Sequence, residues 1–126
     1  MKVAIFGGSF NPVHNEHIKV ALGAINELEL DKLIIMPTFI SPHKQNGEVM
    51  SAEHRLNMLK LAFMGNSKVE ISDYEIEKGG VSYTYQTITH FKSLYGDATL
   101  YFIKRTFSLY ALLILFTEIT FNQSVL

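Results

Sequence analysis

Apolar residues come along this chain in two periods, and the alternation between them outlines a fold. Val3-Ala4-Ile5-Phe6 is a short unbroken apolar run, the pattern of a strand buried on both faces. It breaks on Gly7-Gly8 and turns through Ser9 to Pro12. From there the period lengthens. Ile18, Ala21, Leu22, Ile25 and Leu28 recur at three- and four-residue spacing, the stripe of a helix that covers a sheet. Leu33-Ile34-Ile35-Met36, closed by Pro37, predicts a second strand. Strand, helix, strand in this order predicts a right-handed crossover between parallel neighbours.

Thr38 to Gly47 is a polar loop that leaves the carboxyl end of that second strand. Ser51 is placed to cap a helix carrying Leu56, Leu59, Leu61, Ala62 and Phe63, with its stop at Gly65-Asn66. Val69-Glu70-Ile71 reads as a third strand and Gly79-Gly80 as a turn. Ser82-Tyr83-Thr84 opens a third helix through Leu94, and after Gly96-Asp97 the run Leu100–Ile103 is a fourth strand. The expected class is α/β: a parallel sheet with helices on both faces, one domain over residues 1–103.

The tail, residues 104–126, is divergent and apolar. Phe107–Phe116 has no clear period, falls short of the ~20 residues a membrane span needs, and is interrupted by Glu118. Three readings stand: a segment docked on the sheet as strand or helix, a non-native end, or a membrane contact. A fourth strand without a further neighbour is an apolar edge open to other chains, so a homo-oligomer through that edge or through the tail is an expectation.

Composition narrows the function classes. The 126 residues are 48% hydrophobic and 18% charged, a globular balance for one domain. A net charge of −1 supplies no basic field, which argues against nucleic-acid binding. There is no cysteine, hence no disulfide and no thiolate metal site. The chain enters strand pattern without a signal-peptide layout, so a cytoplasmic protein without a membrane partner is expected.

Candidate chemistry gathers at the first turn. Gly7 and Gly8 lack a Cβ, so backbone N–H groups there can approach a ligand closely. A helix N-terminus after a strand collects anions through unpaired N–H groups and partial positive charge. His14 and His17 fall on one face of the first helical turn. The corner reads as phosphate-handling; a metal pair or a merely polar helix start are the competing readings, and no third ligand is in sight. Arg55 is divided between a role in the site and a surface pair with Glu53 or Asp73.

With these residues in view, the chain resembles the nucleotidyltransferases, and among them the nicotinate-nucleotide adenylyltransferase family. The resemblance rests on Gly-Gly-Ser-Phe-Asn-Pro-Val-His-Asn-Glu-His at residues 7–17 and Pro-Thr-Phe-Ile-Ser-Pro-His-Lys at 37–44. It continues through Ser51-Ala-Glu-His-Arg-Leu-Asn-Met58, Asp73-Tyr-Glu75 and Gly80-Val-Ser-Tyr-Thr84, five motifs in order over residues 2–103. It implies a Rossmann-like fold lacking the family's C-terminal part. It also implies transfer of AMP from ATP to nicotinate mononucleotide, giving deamido-NAD and pyrophosphate.

The roles carried over are these. Gly7, Gly8, Ser9 and Phe10 supply backbone contacts to ATP, and His14 and His17 donate to its triphosphate as catalytic residues. Lys44, Tyr83 and Thr84 bind the acceptor nucleotide. Mg²⁺ arrives on ATP oxygens, with no dedicated protein metal site. Three departures accompany the resemblance. Glu16 stands where the family has glycine, Arg105-Thr-Phe107 replaces a Gly-x-Asp turn, and a later Ser-Ser-Thr-x-x-Arg motif is absent. They keep two alternatives open: a nucleotide-binding chain without turnover, and a related nucleotidyltransferase with another acceptor.

Overall fold

Burial on both faces makes β1 (Lys2–Gly8) the axis of the structure. Val3, Ala4, Ile5 and Phe6 are all but fully buried, alternating between two separate apolar clusters as a strand's period of two requires. The computed structural model describes residues 1–39, 50–80, 84–105 and 114–119. After β1 the chain runs through α1 (Asn15–Glu27), β2 (Lys32–Pro37), α2 (Ala52–Ala62), β3 (Val69–Ile71), α3 (Tyr74–Lys78), α4 (Thr84–Tyr95), β4 (Thr99–Arg105) and β5 (Ile114–Ile119).

The strand order is β3-β2-β1-β4-β5. The first four are parallel, with Ile5 of β1 opposite Ile34 of β2 and Phe102 of β4. On one face Ala4, Phe6, Leu33, Ile35 and Ile103 pack under α1 and α2, through Val20, Ala21, Ala24 and Leu59. On the other, Val3, Ile5, Ile34, Met36 and Leu100 meet Ile88 and Phe91 of α4. Helices on both faces of a parallel sheet were the expected class, and the structure has it. β5 runs antiparallel to β4, pairing Leu100 with Ile119 through Arg105 with Ile114. Of the docked-tail alternatives, residues 114–119 take the strand; residues 106–113 lie outside the described residues.

Local expectations are corrected at three places. The first strand does not break on the glycines: Gly7 pairs with Met36, Gly8 with Pro37, and Thr38 N–H donates to the Gly8 carbonyl at 2.9 Å. The turn itself keeps to the expected Ser9–Pro12 stretch, with Phe10 at φ 46°. Secondly, Leu22 and Leu61, counted in the helix stripes, are 44% and 67% exposed; smaller Ala21 and Ala24 let α1 lie close to the sheet. Thirdly, α3 escapes a periodicity reading because five residues are barely more than one turn. Ser51 does cap α2, its Oγ accepting from His54 N–H at 3.1 Å.

At the amino edge of the sheet, Lys32 ties β2 to its neighbours. Its Nζ donates to Tyr95 OH at 3.3 Å and to Glu70 at 3.2 Å, joining β3 and α4. These two bonds, Tyr95 first and then Glu70, raise its pKa above the ordinary 10.5. A lysine with a raised folded-state pKa contributes stability that is complete below the ordinary value and lost as pH rises through the folded one.

Two measurements check this account. Ile34→Ala, at a fully buried position of β2, is expected to cost 2–5 kcal/mol, roughly, in urea unfolding, and Leu61→Ala under about 0.5 kcal/mol. Lys32→Met is expected to lose about 0.5 kcal/mol at neutral pH, discounted because the side chain is 30% exposed. Its stability curve should meet that of the unaltered chain above pH 10.5. A deficit independent of pH would show that the lysine acts through packing alone.

Candidate functional site

In a parallel sheet each helix runs back against the strand before it, so the N-termini of α1, α2 and α4 collect at the carboxyl edge. The switch in strand order lies between β1, which leads to β2, and β4. Here the chain leaves β1 at Gly8, passes exposed Ser9, and turns at Phe10 in the left-handed region. Such a backbone costs a non-glycine residue on the order of 1 kcal/mol. Burial of the ring, worth about 1.5–3 kcal/mol, offsets it. Phe10 is 1% exposed, edge-on to Phe6 with centroids 5.3 Å apart, and 4.8 Å from the ring of His17.

The helix that follows is capped by two imidazoles. His14 is the N-cap, and its Nδ1 accepts from Glu16 N–H at 3.2 Å. The backbone N–H of His14 donates to Nδ1 of His17 at 3.1 Å. This is the reciprocal geometry of a capping box, usually built from a hydroxyl and a carboxylate. The ring centroids lie 3.9 Å apart at 30°. Since each Nδ1 accepts, the hydrogen of each neutral ring sits on Nε2, turned away from the amide that Nδ1 binds. The corner therefore presents a fixed pair of Nε2–H donors beside a helix N-terminus. Glu16 stands in the same turn, its carboxylate 3.7 Å from Lys19 Nζ.

Arg55 occupies neither of the surface pairs considered from sequence. It is 2% exposed, in the first turn of α2. Its Nη1 donates to the carbonyls of Ser9 at 3.0 Å and Thr38 at 2.8 Å, and its Nε to that of Met50 at 3.3 Å. Burial lowers the pKa of the guanidinium from its ordinary value. Beside it, Asn11 Oδ1 accepts from Met50 N–H at 2.8 Å. The loops after β1 and β2 are thus held together from below. One signal was present in the sequence: Arg55 precedes Leu59 and Phe63 at four-residue steps, on the buried stripe rather than off it.

A second buried link joins α3 to α4, where Thr87 Oγ1 donates to Glu75 at 2.7 Å. Tyr74 stacks on His90 nearby, centroids 3.9 Å apart at 11°, beside an open groove of about 350 Å³. Of the residues expected in a site, Gly7, Gly8, Ser9, Phe10, His14 and His17 come together at one corner. Phe10 does so with its ring in the core. Thr84 is the first residue of α4. Lys44 and Tyr83 lie outside the described residues. Among the described residues no three His, Asp or Glu side chains are grouped to hold a metal, and no helix is long and apolar enough to cross a membrane.

The profile of the family described as cytidylyltransferase-like matches residues 5–119. A probable nicotinate-nucleotide adenylyltransferase of Clostridium tetani is 48% identical over 102 residues, covering 81% of this chain and 51% of that one. A probable nicotinate-nucleotide adenylyltransferase of Aliarcobacter butzleri is 46% identical over 103 residues, 82% of this chain and 56% of its own. The chain spans about half the length of the curated relatives it matches. In fold it is similar to the Plasmodium falciparum nicotinic acid mononucleotide adenylyltransferase complexed with NaAD. The TM-score is 0.67 at 24% identity, over 80% of this chain and 50% of that one.

The imidazole cap is open to direct measurement. Nitrogen-15 correlation spectra are expected to place the hydrogen of both neutral rings on Nε2; a Nδ1–H signal for either would refute the reciprocal cap. His14→Ala removes the side-chain acceptor and is expected to cost about 1 kcal/mol in thermal or urea unfolding.

Proposed function

The chain belongs to the cytidylyltransferase-like family, and from that premise we propose that its glycine–imidazole corner binds ATP in the service of adenylyl transfer to nicotinate mononucleotide. The observation that carries the reading is the pair of Nε2–H donors held by backbone bonds at the start of α1, at the carboxyl end of β1. Donors fixed before the ligand arrives need no reorganisation as charge builds on phosphate. In the proposed step a phosphate oxygen of nicotinate mononucleotide attacks the α-phosphorus of ATP. A new P–O bond forms, the bond to the bridging oxygen of the β-phosphate breaks, and pyrophosphate leaves, giving deamido-NAD. Such a transfer asks the protein mainly for in-line positioning and charge stabilisation.

His14 and His17 serve as the catalytic donors to triphosphate oxygens, with backbone contacts from Gly7, Gly8, Ser9 and Phe10. Lys44 is assigned the acceptor's phosphate. Tyr83 and Thr84, at the entrance to α4, are assigned the nicotinate carboxylate through the helix N-terminus. Mg²⁺ carried in on the nucleotide's oxygens would supply charge neutralisation on the triphosphate. Hard oxygen ligands of that kind suit a corner whose own groups are N–H donors.

Glu16 favours a second reading, nucleotide binding with little turnover. Its side chain is 39% exposed and only loosely paired with Lys19, and its carboxylate adds negative charge beside a polyanion. One close like-charge contact is worth about 1 kcal/mol between the dielectric of water and that of a protein surface. Glu16→Gly is therefore expected to tighten ATP binding roughly fivefold. The same change should destabilise the fold by about 0.5–1 kcal/mol, because glycine is a poor helix former. Titration calorimetry with ATP and Mg²⁺, then pyrophosphate release with nicotinate mononucleotide, test both. His17→Ala is expected to lower any turnover by about 10²-fold. Failure of both the unaltered chain and Glu16→Gly to bind ATP would sink the proposal.

A further inference from the structure

We infer that Arg55 is a positioning residue that orients both substrate loops at once, so that filling one prepares the other; this deepens the nucleotide-binding reading above and rests on it. A single nitrogen, Nη1, donates one hydrogen to the Ser9 carbonyl in the loop after β1. It donates the other to the Thr38 carbonyl in the loop after β2. Nε holds a third carbonyl, that of Met50, at the entrance to α2. These three acceptors are all backbone carbonyls, so the guanidinium fixes peptide planes rather than neutralising a carboxylate.

The consequence follows from peptide geometry. In a trans peptide the carbonyl and the next N–H point in opposite directions. With the Ser9 and Thr38 carbonyls drawn inward to Arg55, the N–H groups of Phe10 and Phe39 face away from the guanidinium. Two amide donors, one from each loop at the carboxyl edge, are thereby aimed by one side chain. Arg55 acts where the sheet no longer does, since the ladder between β1 and β2 ends at Gly8 and Pro37, followed by Thr38 N–H to Gly8 carbonyl.

Fastening α2 to the sheet does not require a charge. Leu59 and Phe63 already do it on the same stripe. A buried guanidinium, its pKa lowered by desolvation, is an expensive way to fill space and a good way to hold several carbonyls in a rigid fork.

The test is the affinity of the full chain for nicotinate mononucleotide, measured by calorimetry without and with saturating α,β-methylene-ATP. In the unaltered chain the analogue is expected to tighten binding about fivefold or more. In Arg55→Met that ratio should fall to about one, and in Arg55→Lys to an intermediate value, since an ammonium lacks the planar fork. Circular dichroism melts establish that each variant is folded, and Arg55→Lys carries the test where Arg55→Met does not fold. A merely structural arginine would lower the melting temperature and leave the ratio untouched. A folded variant with the original ratio, or an unaltered chain that binds both nucleotides independently, overturns the inference. An unaltered chain that binds neither nucleotide overturns the functional reading itself.

Discussion

The structure depends on one constraint: β1 is buried on both faces and flanked on both edges, by β2 and β4. A parallel strand in that position has no polar surface to offer, so its connections must pass through helices on either side. α1 and α2 cover one face and α4 the other. Every helix then starts at the carboxyl edge, and that edge is where polar residues and loops are free to accumulate. The corner at Gly8–His17 is a result of how β1 is buried, not an addition to it.

At that corner the same two rings that cap the helix are the ones proposed to meet the ligand, through opposite nitrogens. The first turn of α1 needs acceptors for its unpaired N–H groups, and the Nδ1 atoms of His14 and His17 take that part. Satisfying the helix settles which ring nitrogen bears the hydrogen, and therefore which way the donors face. A serine–glutamate capping box would close the helix equally well and leave acceptors, not donors, toward a phosphate. Beneath, Phe10 supports the ring of His17 from inside the core, which is why a strained backbone is tolerated at that residue.

Sequence patterns made the four parallel strands and three of the helices legible, because runs such as Val3–Phe6 and Leu33–Met36 have one plausible period. They were less informative where a side chain's neighbours come from distant parts of the chain. Arg55 could not be assigned, since its partners are backbone carbonyls at Ser9 and Thr38, and carbonyls carry no residue-type signal. The Glu75–Thr87 bond lies in the same category, joining two helices separated by a turn. The expectation of an unpaired β4 edge also changes, because β5 pairs with it in antiparallel register. Among the described residues the sheet's outer edges are then β3, only three residues long, and β5, which carries Glu118 opposite Tyr101. Short length and a charge are both ways of blunting an edge.

Glu16 exposes a conflict of sign within a single turn. A carboxylate near a helix N-terminus complements the macrodipole and stabilises the helix by about 0.3–1 kcal/mol. The partial positive charge it satisfies is the same charge that would attract a triphosphate. Whatever occupies that turn therefore divides one field between fold and ligand. A glycine leaves the field to the ligand and weakens the helix; a glutamate strengthens the helix and competes with the ligand. Lys19, 3.7 Å away, moderates the competition without removing it, because a pair with side chains 74% and 39% exposed is largely screened. In the proposed reading, the carboxylate of Glu16 and the two imidazoles therefore act on a bound phosphate with opposite sign from within one helical turn.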